Sequence, residues 1–99
     1  MSLFKLGMIV MTPGIKDMID RDPSNMTFFQ NCVKRHSEGD WGDLCEEDKE
    51  LNESALIAEM KGEKDTDSLM SVYSKNGEEI WIITEWNRSV TTILLPSEY

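Results

Sequence analysis

A chain of 99 residues that is 39% hydrophobic, with three Trp and three Phe, is long enough for one core and too short for two, and its composition excludes intrinsic disorder. Its formal net charge of −9 opposes direct binding to nucleic acid, and no run of 18 apolar residues is present to form a transmembrane helix. The opening MSLFKLGMIVM lacks the cleavage pattern of a signal peptide and the two cysteines, Cys32 and Cys45, are too few for a disulfide framework, so a cytoplasmic protein with free thiols and no membrane association is expected.

In chain order, Lys5 to Met11 is a short apolar run stopped by Thr12-Pro13-Gly14, as a buried first strand would be. Thr12 can N-cap a helix with Pro13 at its first position, and Ile15, Met18 and Ile19 give that helix an apolar edge ending near Asp20. Asp22-Pro23 repeats the start signal. Met26, Phe29, Val33 and His36 then recur at helical spacing, with Cys32 beside them. Lys34, Arg35 and His36 fall in the last turn, where cations complement the helix dipole, and Gly39 can end the helix.

Gly39 to Leu44 (GDWGDL) reads as a tight loop pinned by Trp41. Asp43 and Glu46 have the spacing of a capping box, predicting a third helix from Leu44 to Glu59 with a thin apolar stripe of Leu44, Leu51, Ala55 and Ala58. Lys61 to Ser68 has no apolar residue and reads as a loop. Leu69 to Ser74 is a strand, Asn76-Gly77 a type I′ turn, and Glu79 to Thr84 the returning strand. Ile80 to Pro96 is the densest run of strand-forming residues in the chain, broken only by Glu85 to Arg88, so a third strand from Ser89 to Leu95 completes a meander. Asn87, tolerant of left-handed backbone, is the expected reversal point.

The fold class that follows is a single α+β domain over residues 1–99, with a mainly antiparallel sheet of about four strands and two to three helices packed on one face. The two-residue turn places Tyr73 opposite Ile80, Val72 opposite Trp81, Ser71 opposite Ile82 and Met70 opposite Ile83. One face then carries Met70, Val72, Trp81 and Ile83, and being drier it is expected to take the helices. The other carries Leu69, Ser71, Tyr73, Ile80, Ile82 and Thr84, too apolar to be left in water. It should be covered by the neighbourhood of the first strand or by a second copy, so a homodimer is expected.

Charge is concentrated. Residues 38–67 hold twelve acids against Lys49, Lys61 and Lys64, which accounts for the whole net charge, since the remaining acids and bases cancel. Such a segment would attract a basic protein partner, although charge runs commonly only solvate a surface.

The chemical motifs are sparse. Cys32 and His36 lie at i,i+4 with Cys45 further on, but structural zinc commonly takes four ligands with short paired spacings, so no metal is expected. Asp65-Thr66-Asp67-Ser68 begins like a calcium loop without the required Gly and Glu and reads as a solvated loop. Phosphate-loop, dinucleotide and nucleophile-elbow motifs are missing, and no cofactor is expected. One catalytic constellation can be assembled from residue types: His36, Arg88, Tyr73 and Glu85, the set a small metal-independent ribonuclease or toxin-like enzyme would need. The competing reading pairs Arg88 with Glu85 across the turn, packs Tyr73 on the sheet and leaves His36 at a helix end. Trp86, a large aromatic at a turn, with Asn87, Arg88, Tyr73 and Trp41, forms the expected binding set of a non-catalytic module.

GDWGDLCEEDKELNESAL (residues 39–56) and IWIITEWNRSVTTILLPSEY (residues 80–99), together with KLGMIVMTPG, resemble a group of short, mostly uncharacterised bacterial proteins described as plasmid-related or as a type I restriction endonuclease M subunit. The resemblance implies a cytoplasmic protein associated with mobile DNA, with no assigned activity. A methyltransferase subunit would need a cofactor-binding fold several times this length.

Overall fold

A computed structural model describes residues 2–63 and 66–99 of the chain. Its elements are β1 (Met8–Met11), α1 (Pro13–Arg21), α2 (Ser24–Ser37), α3 (Glu46–Met60), β2 (Leu69–Lys75), β3 (Glu78–Thr84) and β4 (Val90–Leu94), closed by a 3₁₀ turn at Pro96–Glu98. The four strands form one sheet in the order β1-β4-β3-β2, antiparallel except that β1 runs parallel to β4. The molecule is thus an α+β fold with a mixed, mainly antiparallel sheet.

The Asn76-Gly77 turn sets the register as its chemistry requires. Both residues adopt positive φ (52° and 80°), and Tyr73 pairs with Ile80, Val72 with Trp81, Ser71 with Ile82 and Met70 with Ile83. At the second turn the left-handed residue is Arg88 (φ 57°), not Asn87. The Asn87 side chain instead accepts hydrogen bonds from the Ser89 amide (3.1 Å) and hydroxyl (2.6 Å), which braces the turn without reversing the chain itself.

Helices α1 and α2 occupy the face opposite to the one expected, while α3 packs at the β2 edge against Leu69 and against Val72 of the expected face, with Met70 and Trp81 beside it. Leu69, Ser71, Tyr73, Ile80, Ile82 and Thr84 are all buried, and Ile80, Ile82 and Tyr73 form a core with Ile15 and Met18 of α1 and Phe29 and Cys32 of α2. Each such fully buried aliphatic or aromatic side chain contributes about 1.5–3 kcal/mol relative to exposure. Met70, Trp81, Ile83, Val90 and Thr92 on the other face are only partly buried. Ser71 and Thr84 made the inner face look the wetter of the two, yet a partner on α2 satisfies both. The cover comes from within the chain, so the reason for expecting a second copy over Ile80 and Ile82 disappears.

A second cluster, of Phe4, Trp41, Leu44, Ala55, Leu56, Leu69 and Val72, joins α3 and the 41–44 loop to the β2 edge. The Asn52 side chain donates to the Met70 carbonyl (2.7 Å) and accepts from its amide (3.3 Å). Next along the edge, Val72 donates to the Trp41 carbonyl and accepts from the Asp43 amide. This approach needs glycine at 42: φ is 69°, and a Cβ there would lie 2.0 Å from the Val72 carbonyl oxygen. The outward backbone groups of Met70 and Val72 are therefore capped, which guards the middle of this edge against pairing.

Two smaller expectations fail at element ends. Asp43 does not build a capping box; its carboxylate accepts from the Ser74 hydroxyl (2.9 Å), and α3 starts at Glu46 with Cys45 as its N-cap. β1 is not buried, because it forms the outer edge of the sheet and leaves Met8, Ile9 and Met11 exposed. The 61–68 loop falls partly on residues 64 and 65, outside the described residues, as does Asp65 of the calcium-like tetrad.

Candidate functional site

His36, the one histidine, is placed by the last turn of α2 against the inner face of the sheet and has 0% exposure. Its Nδ1 meets the Ser71 hydroxyl and its Nε2 the Thr84 hydroxyl at 2.9 Å; Thr84 continues to Thr91 at 2.7 Å, and Thr91 donates to the Leu6 carbonyl at 2.6 Å. The terminal carbonyl can only accept, which fixes the protons from Thr91 back to the imidazole Nε2. Thr91 spends its hydrogen on Leu6, Thr84 on Thr91, and the imidazole therefore carries a proton on Nε2; a neutral ring then accepts from Ser71 at Nδ1. Burial pushes the His36 pKa down to about 3, with the Arg88 charge acting in the same direction. His36 is thus no cation for the α2 dipole; Lys34 and Arg35 alone fill that place.

Arg88 is buried beside this network, over the ring of Phe4, which itself stands edge-on to His36. Its Nε donates to Glu59 of α3 at 2.9 Å, and its remaining nitrogens reach the Asp67 and Glu85 carbonyls (3.0 Å each) and the Thr66 hydroxyl (3.3 Å). The expected Arg88–Glu85 side-chain pair is replaced by Arg88–Glu59, because the left-handed backbone at 88 turns the guanidinium inward toward α3. The carboxylate of Glu85 is not a partner of Arg88.

Tyr73 and Trp41 are likewise committed within the chain. The Tyr73 hydroxyl donates to the Asp40 carbonyl, burial raises its pKa, and Arg35 lies over its ring at 4.7 Å. Arg35 in turn holds Asp40 in a two-bonded ion pair (2.7 and 3.2 Å), which keeps that carboxyl below its ordinary pKa. Trp41 Nε1 donates to Glu53 at 3.0 Å. Of the expected binding set, Arg88, Tyr73 and Trp41 are buried and only Trp86 (52% exposed) and Asn87 face outward. Of the expected catalytic set, His36, Arg88 and Tyr73 are enclosed and Glu85 is exposed, so the four do not converge on one cleft.

The acidic segment is partly structural. Asp40, Asp43, Glu53 and Glu59 serve Arg35, Ser74, Trp41 and Arg88, whereas Glu47, Asp48 and Glu50 stand exposed on α3. The exposed Trp86 adjoins this segment, since its carbonyl accepts from Thr66 at 3.4 Å and Arg88, two residues on, is tied to Glu59. Cys32 is buried with its pKa raised to about 11 by desolvation; Cys45 is exposed. Among the described residues no three His, Cys, Asp or Glu side chains are grouped as a metal would require, and no helix is long and apolar enough to cross a membrane.

At the opposite edge of the sheet is a groove of about 240 Å³ between β1 and α2, walled by Ile9, Met11 and Ile93 on the sheet and by Met26, Phe29 and Val33 on the helix. Sequence reasoning missed this groove, and missed Glu59, Ser71, Thr84 and Thr91 as partners. A hydroxyl at alternate positions on an otherwise apolar strand face, opposite a helix-end His, was the available signal for the last three. Protein-family models, curated proteins and solved structures were all compared with the chain, and none matches.

Proposed function

We propose that this chain is a non-catalytic protein-binding or regulatory module, bacterial, cytoplasmic and associated with mobile DNA, that works as a homodimer and meets a basic protein partner through its acidic side. The observation that carries the reading is the position of Trp86: a half-exposed aromatic anchor near the Glu59 end of α3, a helix whose Glu47, Asp48 and Glu50, toward its other end, are free of the contacts that hold the fold. An aromatic anchor supplies binding energy at protein interfaces, and acids farther along the same helix, about 14–18 Å from its Glu59 end by the helical rise, would steer a basic partner toward it. The link to mobile DNA rests on the resemblance of residues 39–56 and 80–99 alone. A ribonuclease reading would need His36 as general acid or base, and both its ring nitrogens are occupied inside the core.

Affinity purification at about 0.05 M and 1 M salt tests the reading, with the Debye length falling from more than about 10 Å to about 3 Å. A basic protein should be retained at low salt and lost at high salt, and lost at both with Trp86→Ala combined with Glu47→Gln, Asp48→Asn and Glu50→Gln. Retention by that variant would contradict the proposal.

A further inference from the structure

The two edges of the sheet are treated differently. On β2 the outward backbone groups of Met70 and Val72 are met by Asn52 and the 41–43 loop. Among the described residues β1 has no such cover. Met8 and Thr12 donate toward β4, to the Ser89 and Ile93 carbonyls, and the alternation of a parallel ladder then turns the amides and carbonyls of Ile9 and Met11 outward. Sheet edges are ordinarily guarded by a charge, a proline or a bulge, and Met8-Ile9-Val10-Met11 has none of them. Met8 is 69% exposed, Ile9 48% and Met11 43%, and the groove beside them has Gln30 as its sole polar wall residue.

We propose that the occupant of this edge is a second copy of the chain, with β1 pairing antiparallel to β1 of its partner to make one eight-stranded sheet. The inference rests on the homodimeric part of the reading above and gives it an interface. The chain's own geometry sets the register. Ile9 and Met11 are the outward residues of the strand, so Ile9 pairs with the partner's Met11 and Met11 with the partner's Ile9 in hydrogen-bonded pairs, and Val10 lies on the two-fold axis. A register centred on Ile9 would need Gly7, which lies outside the strand with φ 65° and is packed against the Ser89 carbonyl. In the chosen register Ile9 and Met11 of each copy face the helix side, next to Met26 and Val33, and fill the groove.

Charge favours the same arrangement. The acidic α3 lies beyond β2, at the far edge of the sheet, while no acid lines the β1 groove. Pairing through β1 separates the two β2 strands by seven strand spacings, about 34 Å. That is several Debye lengths of about 8 Å at physiological salt, so the two strongly negative segments scarcely repel. A dimer through β2 or α3 would bring them together. The partly buried outer face of Trp81 and Ile83 is the competing surface, and it lacks unpaired backbone groups.

Sedimentation equilibrium of the full chain at about 100 μM tests the inference. The wild type should weigh twice the 11.4 kDa of one chain, and Ile9→Lys with Met11→Lys should halve that mass with an unchanged circular dichroism spectrum. A second reading does not depend on those lysines being tolerated. Val10→Cys in a Cys45→Ser background should oxidise to a covalent dimer, because residues facing each other at a non-hydrogen-bonded antiparallel pair have Cα atoms about 4.5 Å apart, within disulfide reach. A wild-type dimer that survives the lysine pair and does not cross-link through position 10 overturns this interface while leaving the homodimer standing. A monomeric wild type overturns both, and the acidic binding surface is unaffected by either result.

Discussion

Protonating His36 would place a charge in a region closed to water, beside the buried charge of Arg88, so the folded ring stays neutral to about pH 3. The unfolded chain takes up that proton near the ordinary value of 6.5. Between these two values the unfolded state binds one proton more than the folded state, and stability falls as pH falls. From pH 7.5 to 5.5, above the range in which carboxylates titrate, the loss should be about 1.4 kcal/mol by urea unfolding. His36→Gln should flatten the slope. A wild-type stability that does not change over this window would mean that the ring is not held neutral. The short side chains of Ser71, Thr84 and Thr91 thus have a definite task at this scale: together they form a proton-ordered bridge from α2 across β2, β3 and β4 to the Leu6 carbonyl.

The elements divide by how they are held. Removing the Asn52 side chain would strand the amide and carbonyl of Met70 on a covered edge, so Asn52→Ala should cost about 1–3 kcal/mol in chemical denaturation. Trp86→Ala, at an exposed turn, should stay within about 0.5 kcal/mol of the wild type. Equal effects of the two substitutions would contradict the division between structural and free residues. Much of the element plan was legible beforehand, for reasons that can be named. Asn76-Gly77 encodes its turn in two neighbouring residues, and the register of β2 on β3 follows from it without tertiary information. Thr12-Pro13 marks the start of α1 in the same local way. The direction in which the sheet faces was not legible, because Ser71 and Thr84 count as polar until His36, 35 and 48 residues away, is seen to satisfy them. Arg88 was expected to pair with Glu85, three residues off, and pairs with Glu59, 29 residues off. No local rule distinguishes those two acids. Of the candidate binding set, Trp86 and Asn87 remained at the surface for the reason their sequence position suggested, a turn tip. Tyr73 and Trp41 were drawn into contacts with Asp40 and Glu53 that spacing does not reveal.

At the scale of the molecule the two ends of the sheet have opposite character: an apolar, unguarded edge at β1 and an acidic helix beyond a capped edge at β2. A homodimer through β1 would leave both acidic sides at the far edges of the sheet, free for two copies of a basic partner. In that arrangement self-association and partner binding use separate surfaces. The most direct test is backbone amide exchange, residue by residue, in solution at about 1 mM and about 10 μM. Met8 and Val10 point their amides toward β4 and should be protected at both concentrations. Ile9 and Met11 should be protected at the higher concentration and should exchange faster on dilution. If Ile9 and Met11 exchange at every concentration as fast as the exposed Asn76-Gly77 turn, β1 is an open edge with nothing upon it, and the dimeric account is wrong.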